Sequence, residues 1–294
     1  MRPNVALTQG ITRLSQAGLP SPEADARTLL AHALDVAPVS LAFITDVPDA
    51  AATLFDQLLQ LRAAGHPVQH LTGIAYFRGV TLQVGPGVFI PRPETEGLVQ
   101  VALDWIAAQT WDRPVVCGDL GTGSGAIPKA LVSELAAADT PAQVYAVELS
   151  EAAYSYAAAN LAGSGVTLQH GDFATAFPDQ NATFDVVLSN PPYIPTGSRG
   201  SLPLDVAGRD PDLALFAGVD GLDALAVVAN TATRLLRPGG LLLLEHDETQ
   251  AETLPELLRA TGAFGDIENH PDLTGRPRYV SARRQPVVEE QPVR

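Results

Sequence analysis

Two kinds of hydrophobic spacing divide the chain. From Asn4 to Gly65 apolar residues recur three and four apart, with Leu29, Leu30, Ala33 and Leu34 forming one set and Leu54, Leu58 and Leu61 another, which predicts helices. The stretch SPEADARTLLAHAL carries start signals: Ser21 as the cap, Pro22 at the first helical position, and Glu23 and Asp25 at the positive end of the macrodipole. Between Leu71 and Pro91 the pattern changes to short β-like runs, AYFRGVTLQV and GVFI, broken by Gly79, Gly85, Pro86 and Gly87 as in a hairpin. After Glu94 strand and helix alternate. PVVCGDL, QVYAVEL, VTLQHGD, FDVVLSN and GGLLLLEH are short and rich in Val or Leu, and EAAYSYAAANLA and LDALAVVANTATRLL read as helices between them. That alternation implies an α/β domain with a mostly parallel sheet covered on both faces, to which GDIENH and RYVSARR add strands near the edge. The expected organisation is a helical domain over residues 1–70, a hairpin linker over 71–91, the α/β domain over 92–284 and a disordered tail, QPVVEEQPVR, over 285–294.

Composition narrows the partners. Of 294 residues 46% are hydrophobic and 17% charged, a globular balance with ample material for a core. Asp and Glu outnumber Lys and Arg 33 to 18, a net charge of −15, and no basic cluster exceeds the Arg283, Arg284 pair, so binding nucleic acid through its phosphates is disfavoured. The lone cysteine, Cys117, lies in an apolar run and reads as a small buried hydrophobe; it allows no internal disulfide, as suits a reducing compartment. With no apolar run of 18 residues and no basic-then-apolar leader, the expectation is a cytoplasmic protein without membrane association. No metal site is expected, and the oligomeric state is not legible.

Candidate chemistry gathers at the carboxyl ends of the predicted strands. The first runs into DLGTGSGAIPKAL, where Gly121, Gly123 and Gly125, with Thr122 and Ser124 between them, let the backbone turn tightly and a ligand approach amides at a helix start. By itself this pattern is equally a ligand-free turn. Its spacing is not that of a Walker loop, so no lysine awaits a triphosphate, and Pro128 falls in the first helical turn, where a missing amide is tolerated. Glu148 ends the next strand some distance beyond the glycines, where an acid can accept from both hydroxyls of a ribose. Asp172 and Phe173 follow the third strand; they suit an adenine amino group and ring, or else Asp172 merely caps the next turn. LSNPPYIP ends the fourth strand. Asn-Pro often marks nothing more than a turn, yet Pro191 and Pro192 fix φ and donate no amide, which makes a stiff polar corner.

These residues resemble the class I S-adenosylmethionine-dependent methyltransferases, which have a Rossmann-like sheet. NPPYI narrows the resemblance to enzymes that methylate a planar nitrogen. FIPRPETEGLV at residues 89–99, followed by DLGTGSGAI and NPPYI in that order, is similar to the HemK/PrmC family, and GHPVQHLTGIAYFRG, RDPDLALFAGVDGL and LRPGGLLLLEH extend the likeness over nearly the whole chain. The resemblance implies five to six N-terminal helices, a connecting hairpin and a seven-stranded catalytic sheet. It implies S-adenosyl-L-methionine as cofactor, held by residues 121–125, Glu148, Asp172, Phe173 and Asn190. The implied substrate is the glutamine of the Gly-Gly-Gln motif in class 1 peptide-chain release factors, methylated on its side-chain nitrogen. Asn190 and the Pro191 carbonyl would then hold the amide nitrogen, Pro192 would stiffen the corner, Tyr193 would stack on the amide and Phe89 would form a second wall. Arg92, Glu94 and Glu96 read equally as an ion-paired gate near the cofactor or as a helix start with acids in its first turn. His170 and His246 read as structural, leaving no evident general base.

Some positions depart from the family pattern. Asp210 stands where a glutamate is usual, Asp247 where a glycine follows LEH, Glu148 where an aspartate is common and Phe173 where a tryptophan is frequent. Other acceptors compatible with the same corner are a ribosomal-protein glutamine, or an adenine amino group in DNA or RNA reached by base flipping.

Overall fold

The computed structural model describes residues 1–201, 206 and 208–286. It divides the chain into two compact units, one of Met1–Ile74, Val84–Pro86 and the described residues of 203–209, the other of Ala75–Gln83, 87–201 and 210–286. Most of the expected tail, from residue 287 on, lies outside the described residues.

The first unit is helical: α1 (Pro3–Gln16), α2 (Pro22–Ala33), a 3-10 segment (Pro38–Phe43), α3 (Asp49–Ala63) and α4 (Val68–Thr72). Ser21 occupies the N-cap position of α2 but its side chain makes no capping bond. The helix start rests instead on Pro22, whose fixed φ is already helical and whose missing amide removes an orphan donor. The stripe expected on α3 is also displaced. Leu54 and Leu61 are 39% and 43% exposed, while Phe55, Leu58, Leu59 and Arg62 are buried. Phe55 takes the centre of that face because α1 offers it Gly10, where an added Cβ would stand 2.8 Å from the ring. Arg62 is tolerated inside because its Nε donates to Asp25 at 2.7 Å and its Nη1 to the His66 carbonyl at 3.1 Å. Removing one member of a buried pair strands the other charge. Arg62→Ala is therefore expected to cost this unit about 3–5 kcal/mol, read as faster hydrogen exchange in α2 and α3 with the sheet amides of the other unit unchanged.

The second unit opens on a hairpin, β1 (Ile74–Phe77) and β2 (Val80–Gln83). Its two loop residues, Arg78 and Gly79, both have positive φ (44° and 76°), the backbone of a type I′ turn. Arg78 also anchors the hairpin: its guanidinium donates to both carboxylate oxygens of Glu134 at 2.6 and 2.7 Å, and its amide to Glu96 at 3.1 Å. GVFI, read as β-like, is not a strand. Gly87 has φ 93°, outside the β region, and Pro91 has no amide to donate, so Val88 and Ile90 are buried without joining a ladder.

Helix α5 (Pro93–Ala107) leads into β3 (Val115–Leu120), α6 (Ala126–Ala137), β4 (Ala142–Glu148), α7 (Glu151–Leu161), β5 (Thr167–His170) and β6 (Phe184–Ser189). There follow α8 (Asp212–Leu215), α9 (Asp223–Leu235), β7 (Leu236–Glu245), α10 (Thr253–Ala260), β8 (Phe264–Pro271) and β9 (Pro277–Arg284). The strands form one seven-stranded sheet in the order β5-β4-β3-β6-β7-β9-β8. β3 to β7 pair in parallel, and β9 pairs antiparallel with both β7 and β8. Leu225, Val228, Ala229, Ala232 and Leu235 of α9, spaced as one helical face, join Leu254 and Leu258 of α10 in a single core with alternate residues of the strands, among them Leu120, Val187, Leu242 and Val280. Cys117 is buried in β3, and that burial raises its thiol pKa, which keeps it an unreactive hydrophobe. No helix among the described residues is long and apolar enough to cross a membrane.

Candidate active site

The strand order reverses between β3 and β6: the chain proceeds outward from β3 through β4 to β5, then returns to β6 on the other side. Diverging loops at such a switch point open a crevice beyond the carboxyl ends of the strands. A cavity of about 500 Å³ lies there, within the size range of small-molecule sites. Gly121, Thr122, Gly123 and Ser124 line it after β3, Glu148 after β4, Asp172 and Phe173 after β5, and Asn190, Pro191 and Pro192 after β6. Phe89 and Thr95 line it from the segment that enters and begins α5.

The glycine loop is held from below. The amides of Gly121 and Thr122 both donate to the Val147 carbonyl at 3.0 Å, locking the loop to β4. At Gly123, φ 58°, an added Cβ would meet nothing within 4 Å, so the backbone there is open. Gly125 differs from the other loop glycines. It is the N-cap of α6 at φ 82°, Leu161 of α7 stands 3.0 Å from where its Cβ would be, and it does not line the cavity. Its lack of a side chain makes room for Leu161, a matter of helix packing.

Glu148 is 8% exposed, accepting from the Gly123 amide and the Ser150 amide at 2.8 Å each. Burial raises its pKa and these backbone donors oppose the rise. Ser150 caps α7, accepting from the Ala153 amide, so Glu148 is not needed as the cap. Asp172 lines the cavity and also accepts from the Ala174 amide at 2.8 Å; the turn-capping reading and the cavity position both hold for it.

At the proline corner the Asn190 Nδ2 donates to the Thr95 hydroxyl at 3.0 Å, which in turn donates to Glu245 Oε2 at 2.7 Å. Tyr193 is not part of the cavity wall. Its ring packs against the core and its hydroxyl donates to Glu245 Oε1 at 3.1 Å, because a buried phenol needs an acceptor and Glu245 supplies one. Arg92 pairs with Asp210 at 2.6 Å while lying over the Phe89 ring, 5.1 Å from its centroid. Glu94 and Glu96 sit in the first turn of α5. Asp210 thus takes up the arginine and leads into the segment whose Leu213, Phe216 and Gly218 form another wall. His170 Nε2 donates to the Leu149 carbonyl and His246 Nδ1 to that of Asp247; neither lines the cavity.

Four contributors escaped the sequence reading: Thr95, Glu245, Asp119 and the 211–218 wall. Thr95 and Glu245 carried a faint signal, a hydroxyl inside FIPRPETE and an acid ending the apolar run LLLLE. Asp119, two residues before Gly121, is fully buried, with the Thr122 hydroxyl beside it. Burial pushes the Asp119 carboxyl up to about 7, with Thr122 opposing and the charge of Glu148 adding to the rise. The wall carried no motif.

Comparison with known proteins agrees with this layout. Residues 5–73 match the PrmC N-terminal domain and residues 118–198 a methyltransferase domain. The release factor glutamine methyltransferase of Streptomyces coelicolor is 44% identical over 95% of this chain and 96% of its own. That of Deinococcus radiodurans is 42% identical over 95% and 97%. Among solved structures the hMettl16 catalytic domain, in complex with an RNA hairpin, gives a TM-score of 0.56 at 16% identity over 77% of this chain and 81% of that one, a likeness of fold alone.

Proposed function

Because the chain belongs to the release factor glutamine methyltransferases, we propose that it transfers a methyl group from S-adenosyl-L-methionine to the side-chain amide nitrogen of the glutamine in the Gly-Gly-Gln motif of class 1 release factors. The observation that carries the site assignment is Asn190: with Nδ2 engaged by Thr95, its Oδ1 is the remaining side-chain acceptor in a cavity shared with the glycine loop and Glu148.

The residues fit the cofactor. The open backbone at Gly123 admits a close ligand, and Glu148 offers a carboxylate for ribose hydroxyls. Asp172 and Phe173 suit the adenine. When bound, this group supplies an electrophilic methyl on a sulfonium. Everything else falls to the protein.

An amide nitrogen is a weak nucleophile because its lone pair is delocalised into the carbonyl, so the protein's task is placement. Asn190 Oδ1 and the Pro191 carbonyl accept the two N–H bonds of the glutamine amide, which aims the nitrogen and stabilises the positive charge that develops on it. Pro191 and Pro192 fix the backbone of the acceptor corner, and Phe89, under Arg92, closes the opposite side. No side chain here serves as a strong base; the surplus proton leaves to water once the nitrogen is methylated.

The helical unit, with the boundary drawn at residue 70, is the candidate for gripping the release factor, since one exposed loop needs further contacts to be chosen among proteins. A cytoplasmic location follows from that partner. The net charge of −15 argues against nucleic acid as the acceptor. The test is incubation with radiolabelled S-adenosylmethionine and, separately, an intact release factor, the same factor with its motif glutamine replaced, ribosomal protein and nucleic acid. Label on the intact factor alone is the expected result; label on nucleic acid or on the replaced factor would overturn it.

A further inference from the structure

Which way the Asn190 side chain faces matters, because a carboxamide turned over presents two donors where the reaction needs an acceptor. Oxygen and nitrogen in such a group are told apart by their hydrogen-bond partners. Here those partners form a chain running to a carboxylate.

Glu245 is the last residue of β7 and is 1% exposed. Its two oxygens face two hydroxyls, Thr95 at 2.7 Å and Tyr193 at 3.1 Å. An ionised carboxylate only accepts. Each hydroxyl has one proton, so each spends it on Glu245. The Thr95 oxygen is then left with lone pairs alone toward Asn190, and only the nitrogen end of the carboxamide can satisfy it, at 3.0 Å. We infer that Thr95 and Glu245 are positioning residues for the methyl-transfer reaction: the relay Glu245–Thr95–Asn190 fixes the polarity of the Asn190 amide so that Oδ1 is the end offered to the substrate nitrogen. The inference rests on the proposed role of Asn190.

The surroundings serve the same end. Burial raises the Glu245 carboxyl to about 7; the hydrogen bonds from Thr95 and Tyr193 and the charge of Arg278 oppose that rise and favour the ionised form, which prevails above that pH. The Tyr279 hydroxyl donates to the Glu94 carbonyl, and Gly97 leaves room for that ring where a Cβ would stand 2.9 Å from it. Both hold the first turn of α5, and with it Thr95, against the end of the sheet. Tyr193 thereby acts at one remove from the cavity, as the second claimant on Glu245.

The relay has a direction, and direction can be inverted without changing shape. In Glu245→Gln the Tyr193 hydroxyl still needs an acceptor, so the new carboxamide turns its oxygen to Tyr193 and its NH₂ to Thr95. Thr95 then directs its own proton at Asn190, which must rotate to accept it and expose Nδ2 to the cavity. Thr95→Val removes the relay at nearly constant volume, and Thr95→Ser restores the hydroxyl.

Thr95→Val and Glu245→Gln are each expected to lower kcat by roughly 10- to 100-fold, with cofactor Kd and the KM for release factor within about threefold of wild type, while Thr95→Ser stays within about threefold of wild type in kcat. In the heteronuclear NMR spectrum the Asn190 side-chain amide protons should exchange slowly with water in wild type and Thr95→Ser, and fast in Thr95→Val. Full turnover in Thr95→Val, equal losses in Thr95→Ser and Thr95→Val, or unchanged Asn190 exchange would each overturn the relay. Failure of the wild-type protein to label any release factor sinks the substrate reading instead, and the exchange measurement, which needs no acceptor, still decides the relay.

Discussion

Asn190→Ala is expected to lower kcat for methyl transfer by roughly 10²- to 10³-fold, the usual cost of losing one preorganised polar group at a reacting centre. Cofactor affinity should stay near that of the wild type, because the glycine loop and Glu148 are untouched. Alanine removes Oδ1, leaving the Pro191 carbonyl as the one remaining acceptor for two N–H bonds. The amide can then rotate about a single hydrogen bond, and the nitrogen lone pair loses its aim. The variant should fold. Its lost partner is the Thr95 hydroxyl, which keeps its bond to Glu245, so the cost to stability is about 1 kcal/mol. Single-turnover labelling together with calorimetric titration of the cofactor separates the two effects; an equal collapse of cofactor affinity would make Asn190 chiefly a cofactor ligand.

Gly221→Ala, several residues from any proposed ligand contact, is expected to cost about 2–4 kcal/mol of stability and roughly 100-fold in turnover. Gly221 has φ 78°, a backbone that alanine adopts only with strain. A methyl there would also intrude on the Tyr193 carbonyl oxygen and stand 2.7 Å from Gln250 Nε2. Both neighbours belong to the frame of the acceptor corner. Gln250 Nε2 donates to the Tyr193 carbonyl at 3.0 Å and to the Asp220 carbonyl at 3.2 Å, while its Oε1 accepts from the Asp247 amide at 3.0 Å. Asp247 closes a capping box with Gln250 and so helps to hold the glutamine that holds the corner. Displacing the Tyr193 carbonyl moves the Asn190 to Tyr193 segment, and a shift on the order of 1 Å is enough to spoil alignment. Thermal unfolding, and turnover measured well below the lowered melting temperature, test the two parts. A variant that melts and turns over like the wild type would mean the corner is not held from Gly221.

Much of this is legible in the sequence, and for local reasons. Strand–helix alternation, Val- and Leu-rich runs and the glycine turn before AIPKAL are properties of contiguous residues. The β3 turn and the ends of β4 and β6 therefore carry recognisable residues in Gly121, Glu148 and Asn190. The same local logic failed where a neighbour decided the matter. Leu54 and Leu61 share a helical period with Leu58 but yielded the core to Phe55, because Gly10 on another helix made room for a ring. Gly125 belongs to the glycine turn by its spacing, and what its missing side chain makes room for is Leu161 of another helix. Arg92 had two acids within four residues and paired with Asp210, 118 positions away.

The residues of the acceptor corner show where the division falls. By itself the chain determined which groups would stand at the strand ends, because spacing along one strand or one turn sets that, and a proline pair stiffens its corner whatever surrounds it. What the groups face was decided only by the tertiary structure. Thr95 and Glu245 are 150 positions apart, and nothing in either segment says that one hydroxyl will meet one carboxylate. Tyr193 follows the corner in its motif, but the carboxylate that its hydroxyl meets, Glu245, comes from another strand. The reason is physical: a buried polar group must find its partner wherever packing brings one, and packing joins segments whose separation in sequence carries no signal of their meeting.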